Sequence, residues 1–249
     1  MKLKNWMSLL VASVVVLVGV LLCINDLYWQ KTDSKIWISV GCSLIASGLV
    51  IILTTLLVDK EKQNPLEEWK IDKIYMTRAE KNADSDPKLD NAKKCVDGIA
   101  FGLSKFRSQQ NERVIKCLQR GINFRFITMN PKSKFVEQRD IEENDVAGKI
   151  EKSINDLIIW ANDLNSKKYP GRILIKGYDC MTLDFYWRVD DELYIGPYLL
   201  GKDSSITVTY KFLEKGKGFK YYSDYFEQLW GRDDFIFLTS MTGFKKNKR

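Results

Sequence analysis

The stretch FYWRVDDELYIGPY, residues 185–198, decides the fold of this chain. Two runs rich in aromatic and branched residues flank Asp190-Asp191, so the stretch reads as two strands joined by a tight turn. Strand-like runs also stand on either side of it, RILIKGY at 172–178 and SITVTY at 205–210, all beyond the break at Pro170-Gly171. Upstream the pattern alternates. IDKIYMTR (71–78), VDGIAFGLS (96–104) and INFRFITM (122–129) read as strands, the last closed by Asn130-Pro131. Between them come a helix near Lys88–Cys95 and another through NERVIKCLQRG, whose Val114, Ile115 and Leu118 share a face and whose Gly121 is a C-terminal stop. A long helix over about Glu143–Leu164 carries the stripe Val146, Ile150, Ile154, Leu157, Ile158, Ala161 and Leu164, and a last helix falls near Lys220–Trp230. Strand-helix alternation followed by a run of strands predicts an α/β domain with a mixed sheet over about 72–238.

The N-terminal part is of another kind. Residues 6–24 and 36–58 contain no charge, and each is long enough to cross about 30 Å of hydrocarbon as a helix. A cleaved signal has an apolar region of only about 7–15 residues ending at a small-x-small site, which LLCIND does not offer. The joining segment NDLYWQKTDSK has no net charge, whereas Lys2 and Lys4 precede the first span and Lys60, Lys62, Lys70 and Lys73 follow the second. The positive-inside bias therefore predicts a two-span transmembrane hairpin in the inner (cell) membrane, both termini cytoplasmic. Ser39, Ser43 and Ser47 recur every four residues as a small-residue stripe for packing against the first span or between chains. Residues 59–71 form a linker, and 239–249 a basic tail.

From residue 59 onward 35 Lys/Arg face 30 Asp/Glu, an excess that suits a domain near an anionic leaflet and gives no expectation of nucleic acid as a partner. Five cysteines show no CxxC spacing and the chain has no histidine, so neither a metal site nor any cofactor is expected.

The order IYMTRAE, IAFGLSKF, LQRGINFRFITMNP, WRVDDELYIGPYLLG and YFEQLW resembles single-repeat phospholipase D-like domains that have lost their catalytic motif. That motif is His-x-Lys-x-x-x-x-Asp: histidine attacks phosphorus, lysine stabilises the developing charge and aspartate supports the site. With Asp190 as the motif aspartate, Leu183 stands at the histidine position and Phe185 at the lysine position. Gly196 persists downstream, and Pro197 replaces an expected serine. The resemblance therefore implies a phospholipase D-like fold without catalysis, a pseudoenzyme with no catalytic residue. It also implies a homo-oligomer, a dimer or higher, because single-repeat members build their cleft from two copies.

A degenerate cleft can still bind phosphate through arginine and backbone amides. Arg78, Ser104, Asn130, Arg188, Asp190 and Tyr198 fall at strand ends or around the opening stretch and are the ligand-binding candidates. The function expected is a membrane-anchored sensor or effector for a phosphate-bearing ligand, such as a nucleotide signal, acting on the membrane by oligomerisation. Its layout resembles bacterial antiphage effectors. The alternative is a module that docks protein or lipid without a small ligand. A third reading, metal-dependent catalysis by Asp184, Asp190, Asp191 or Glu192, has little beyond their acidity behind it.

Overall fold

In the quoted stretch, Phe185–Val189 (β5) and Glu192–Gly196 (β6) form an antiparallel hairpin whose turn places Asp190 at a φ of 48°. Asp190 holds that turn from outside, because its carboxylate accepts hydrogen bonds from the backbone N–H groups of Lys93 (2.7 Å), Lys94 (2.8 Å) and Cys95 (3.0 Å). These bonds tie the hairpin to the start of Cys95–Ile99 (β2), with which β5 pairs antiparallel.

The computed structural model describes residues 2–29, 36–61, 65–181 and 183–240. Residues 1–65 and 66–249 form two units. In the second, Ile71–Tyr75 (β1), Asn123–Met129 (β3), Ile173–Tyr178 (β4), Thr209–Leu213 (β7) and Ile236–Phe237 (β8) complete an eight-stranded mixed sheet of order β1-β7-β6-β5-β2-β3-β4-β8. Strands β2, β3 and β4 run parallel and the remaining pairs are antiparallel. The period-two alternation of strands divides the hairpin between two cores. Phe185, Trp187, Val189 and Tyr194 enter one with Phe124, Phe126 and Val114, while Tyr186, Leu193 and Ile195 enter the other with Phe219 and Phe226.

Several predicted elements have different ends. Arg78 opens a helix, Arg78–Ser85 (α4), instead of ending a strand, because Thr77 caps it by accepting from the Glu80 N–H. The helix expected near residue 88 is a 3-10 turn at Asp86–Asn91, and Ser104–Gln119 (α5) begins earlier than its apolar face indicates. The long helix expected from 143 is two: Lys134–Glu142 (α6) and Lys149–Ser166 (α7). Gly148, at a φ of 82°, precedes α7, so Val146 lies outside the apolar stripe and is exposed. Pro65–Trp69 (α3) precedes β1, and Lys217–Trp230 (α8) is the last helix among the described residues.

In the first unit, Lys2–Trp29 (α1) and Ile36–Glu61 (α2) pack against each other, and each contains a stretch long and apolar enough to cross a membrane, Trp6–Tyr28 and Ile36–Leu56. Their seam is made by glycine rather than serine. A Cβ added to Gly41 would lie 2.7 Å from the Gly19 carbonyl oxygen, and one added to Gly48 would lie 2.4 Å from Val16. Ser39, Ser43 and Ser47 are exposed in this chain, and the Ser43 hydroxyl donates back to the Ser39 carbonyl. The serine spacing therefore marks a face turned away from α1, since only residues without a side chain permit the close approach. Residues 241–249, most of the basic tail, lie outside the described residues.

Candidate functional site

A cavity of about 270 Å³ opens beyond the carboxyl end of β2. Its floor is Phe185 and Trp187 of β5, one wall is α4, and another is the loop of residues 100–103 together with the first turn of α5. The loop is held close to α7, where a Cβ on Gly102 would fall 1.8 Å from Ser153 Oγ. Leu103 then takes a left-handed conformation (φ 49°) as the N-cap of α5, and its side chain cannot cap. The helix thus presents its first N–H groups, that of Ser104 among them, at the cavity wall.

Two cations come from α4. The Arg78 guanidinium lies 3.7 Å from the Phe185 ring centroid and 4.8 Å from that of Tyr198. Its Nε donates to Thr207 Oγ1 (3.2 Å) and an Nη to the Pro197 carbonyl (3.4 Å). One turn on, Lys81 is 2% exposed, with Nζ 5.1 Å from the Phe185 and Trp187 rings and 5.5 Å from Tyr194. Burial pulls its ammonium down to about 7, against partial relief from the Asp86 charge. Among the described residues neither cation has a carboxylate at ion-pair distance.

The acidic groups of the wall are already engaged. Glu143 pairs with Arg139 (2.6 Å), Asp145 with Lys149, and Asp203 accepts from the Ser205 N–H (2.6 Å). Asp86 accepts from Gln110 Nε2 (2.9 Å) and Ser85 Oγ (3.2 Å). Burial, the largest influence on it, pushes the Asp86 carboxyl up. Trp187 Nε1, also buried, has no hydrogen-bond acceptor among the described residues.

Of the six candidate residues, the structure brings Arg78, Ser104 and Tyr198 together on this cavity. Asn130 closes β3 as a turn residue, its Oδ1 accepting from the Lys132 N–H (3.0 Å), and is not on the wall. Arg188 and Asp190 are elsewhere for a geometric reason: they stand toward the turn end of β5, and Arg188 projects to the face opposite Trp187. There its guanidinium lies 5.0 Å from the Phe219 ring and its Nε donates to the Asp190 carbonyl. No single cleft joins Arg78 to Arg188. The four carboxylates of the metal-dependent reading do not converge either. Asp190 binds backbone, Asp191 pairs with Lys94 and Glu192 with Lys88, while Asp184 precedes β5 at its other end.

Lys81 is the residue that sequence reasoning missed. Its spacing of three from Arg78 puts both on one face of a helix, the signal that was present. Phe185 lends its ring to the two cations.

No protein-family model and no curated protein matches the chain. Among solved structures, it is similar to one reported as "Structure of TrmBL2, an archaeal chromatin protein, shows a novel mode of DNA binding", at 13% identity and a TM-score of 0.42, covering 77% of this chain and 67% of that one. It is similar also to "NucT from Helicobacter pylori", at 10% identity and a TM-score of 0.40, covering 66% and 96%. At these scores neither likeness decides the function. The expectation that nucleic acid is no partner is nonetheless corrected, because a DNA-binding chromatin protein stands among the similar structures.

Proposed function

We propose that this chain is a membrane-anchored, catalytically inactive phospholipase D-like sensor, whose α/β domain binds a phosphate-bearing ligand such as a nucleotide signal. The two N-terminal helices carry the response to the membrane. One observation carries the reading: among the described residues Arg78 and Lys81 face a cavity with no carboxylate at ion-pair distance, while every carboxylate on its wall is engaged. Burying a cation without a counter-charge is costly, and a bound phosphate removes that cost. The uncapped start of α5 adds backbone donors to the same wall. Phe106, half-buried on the same wall, offers a ring for a base. Inactivity is supported by the absence of histidine and by Leu183 and Phe185 at the motif positions.

The test is thermal unfolding of the detergent-solubilised full chain with inorganic phosphate and with nucleoside mono- and diphosphates. Binding at about 100 times Kd stabilises by about 2.7 kcal/mol and raises Tm by several degrees, an effect expected to vanish in Arg78→Gln. A Tm unmoved by all of these at millimolar concentration overturns the reading.

A further inference from the structure

Arg78 remains charged at any working pH, so holding an anion in the cavity does not require the charge of Lys81. Lys81 is then free for other chemistry. Its Nζ lies 5.1 Å from the Phe185 and Trp187 rings of the cavity wall and 5.5 Å from the Tyr194 ring behind them, 98% of the residue is withdrawn from solvent, and no acceptor or carboxylate engages it among the described residues. A lysine so placed presents an amine to whatever occupies the cavity.

We propose that Lys81 is a reactive amine that condenses with the carbonyl group of a phosphorylated aldehyde or ketone anchored by Arg78. The proposal rests on the phosphate reading of the cavity and names the ligand class more closely. The Nζ lone pair adds to the carbonyl carbon, and the carbinolamine then loses the former carbonyl oxygen with the two amine protons as water, leaving a C=N bond. Only the neutral amine can add, and burial, by pulling Lys81 down to about 7, keeps a large share of it neutral under ordinary conditions.

Pyridoxal 5′-phosphate, which joins an aldehyde, a phosphate and a flat ring, is the probe. The full chain in detergent is incubated with it across a pH series, reduced with borohydride and mapped by peptide mass spectrometry. Pyridoxal lacking the phosphate is run beside it, and inorganic phosphate serves as competitor. The expected result is modification of Lys81 ahead of the exposed Lys73 and Lys220, half-maximal near pH 7. It should be at least about tenfold better than with pyridoxal, a difference of one decade in affinity, and protected by phosphate. Label confined to exposed lysines with both aldehydes overturns the proposal. Equal labelling of Lys81 by both aldehydes, unprotected by phosphate, keeps the reactive amine and overturns the phosphate reading. Phosphate that raises Tm while Lys81 stays unlabelled keeps the phosphate site and overturns the amine.

Discussion

At the scale of single residues, the cavity shows how position within a strand outweighs residue type. Arg78, Ser104 and Tyr198 are visible in the sequence as polar groups at the ends of apolar runs, and they meet. Arg188 is an equally good phosphate ligand on paper, yet the two-residue period of β5 sends it to the other face. Which face bears a cavity depends on the helices that cover it, and a strand pattern does not contain that information. Lys81 was hidden for a related reason: the rings that enclose it come from β5 and β6, far downstream in the chain. Its burial has a measurable consequence. Between about 7 and the ordinary value of 10.5 the unfolded chain holds the Lys81 proton and the folded chain does not. Stability therefore rises with pH in that window, by about 1 kcal/mol per unit, and Lys81 contributes no slope below it. Denaturant unfolding of wild type and Lys81→Met at pH 6 and pH 9 should show wild type gaining about 2 kcal/mol on the variant at the higher pH. An unchanged difference would mean that the amine is not buried as described.

At the scale of elements, the hairpin and the helix pair make separate predictions. Asp190 combines a left-handed backbone with three N–H bonds that fasten β5–β6 to β2, a role the sequence signals only as a polar turn. Asp190→Ala leaves those donors and the conformation unsupported, and should lower unfolding free energy by about 2–3 kcal/mol in urea titration. Its effect on phosphate binding should be small, because the hairpin turn is at the opposite end of β5 from the cavity. A large loss of binding with unchanged stability would restore Asp190 to the site. In the helix pair, Gly41→Leu cannot be placed without moving α1, since even a Cβ there meets the Gly19 carbonyl. Ser43→Leu adds only exposed apolar surface. Cysteine crosslinking between α1 and α2 in membranes should be lost in the first variant and retained in the second. Both helices were readable from their uncharged length, but their seam was not, because serine and glycine look alike as small residues until the backbones are seen to touch.

At the scale of the whole molecule, the proposal joins a ligand cavity to a pair of membrane helices, and its sharpest consequence is dependence on both. If binding drives a response at the membrane, inducible expression in a bacterium should slow growth and admit a membrane-impermeant dye. Dye uptake should disappear on deletion of residues 1–58 and also in Arg78→Ala, while Arg188→Ala keeps it. The Arg188 variant separates a cavity effect from a general loss of positive charge, because that side chain stacks on Phe219 across the sheet. Uptake that survives Arg78→Ala would make the helices toxic by themselves and detach the cavity from the response. Uptake abolished equally by both arginine variants would place the effect in folding or charge, which the urea titrations then distinguish. The outcome that supports the sensor is asymmetric between two arginines that the sequence alone presents as equals.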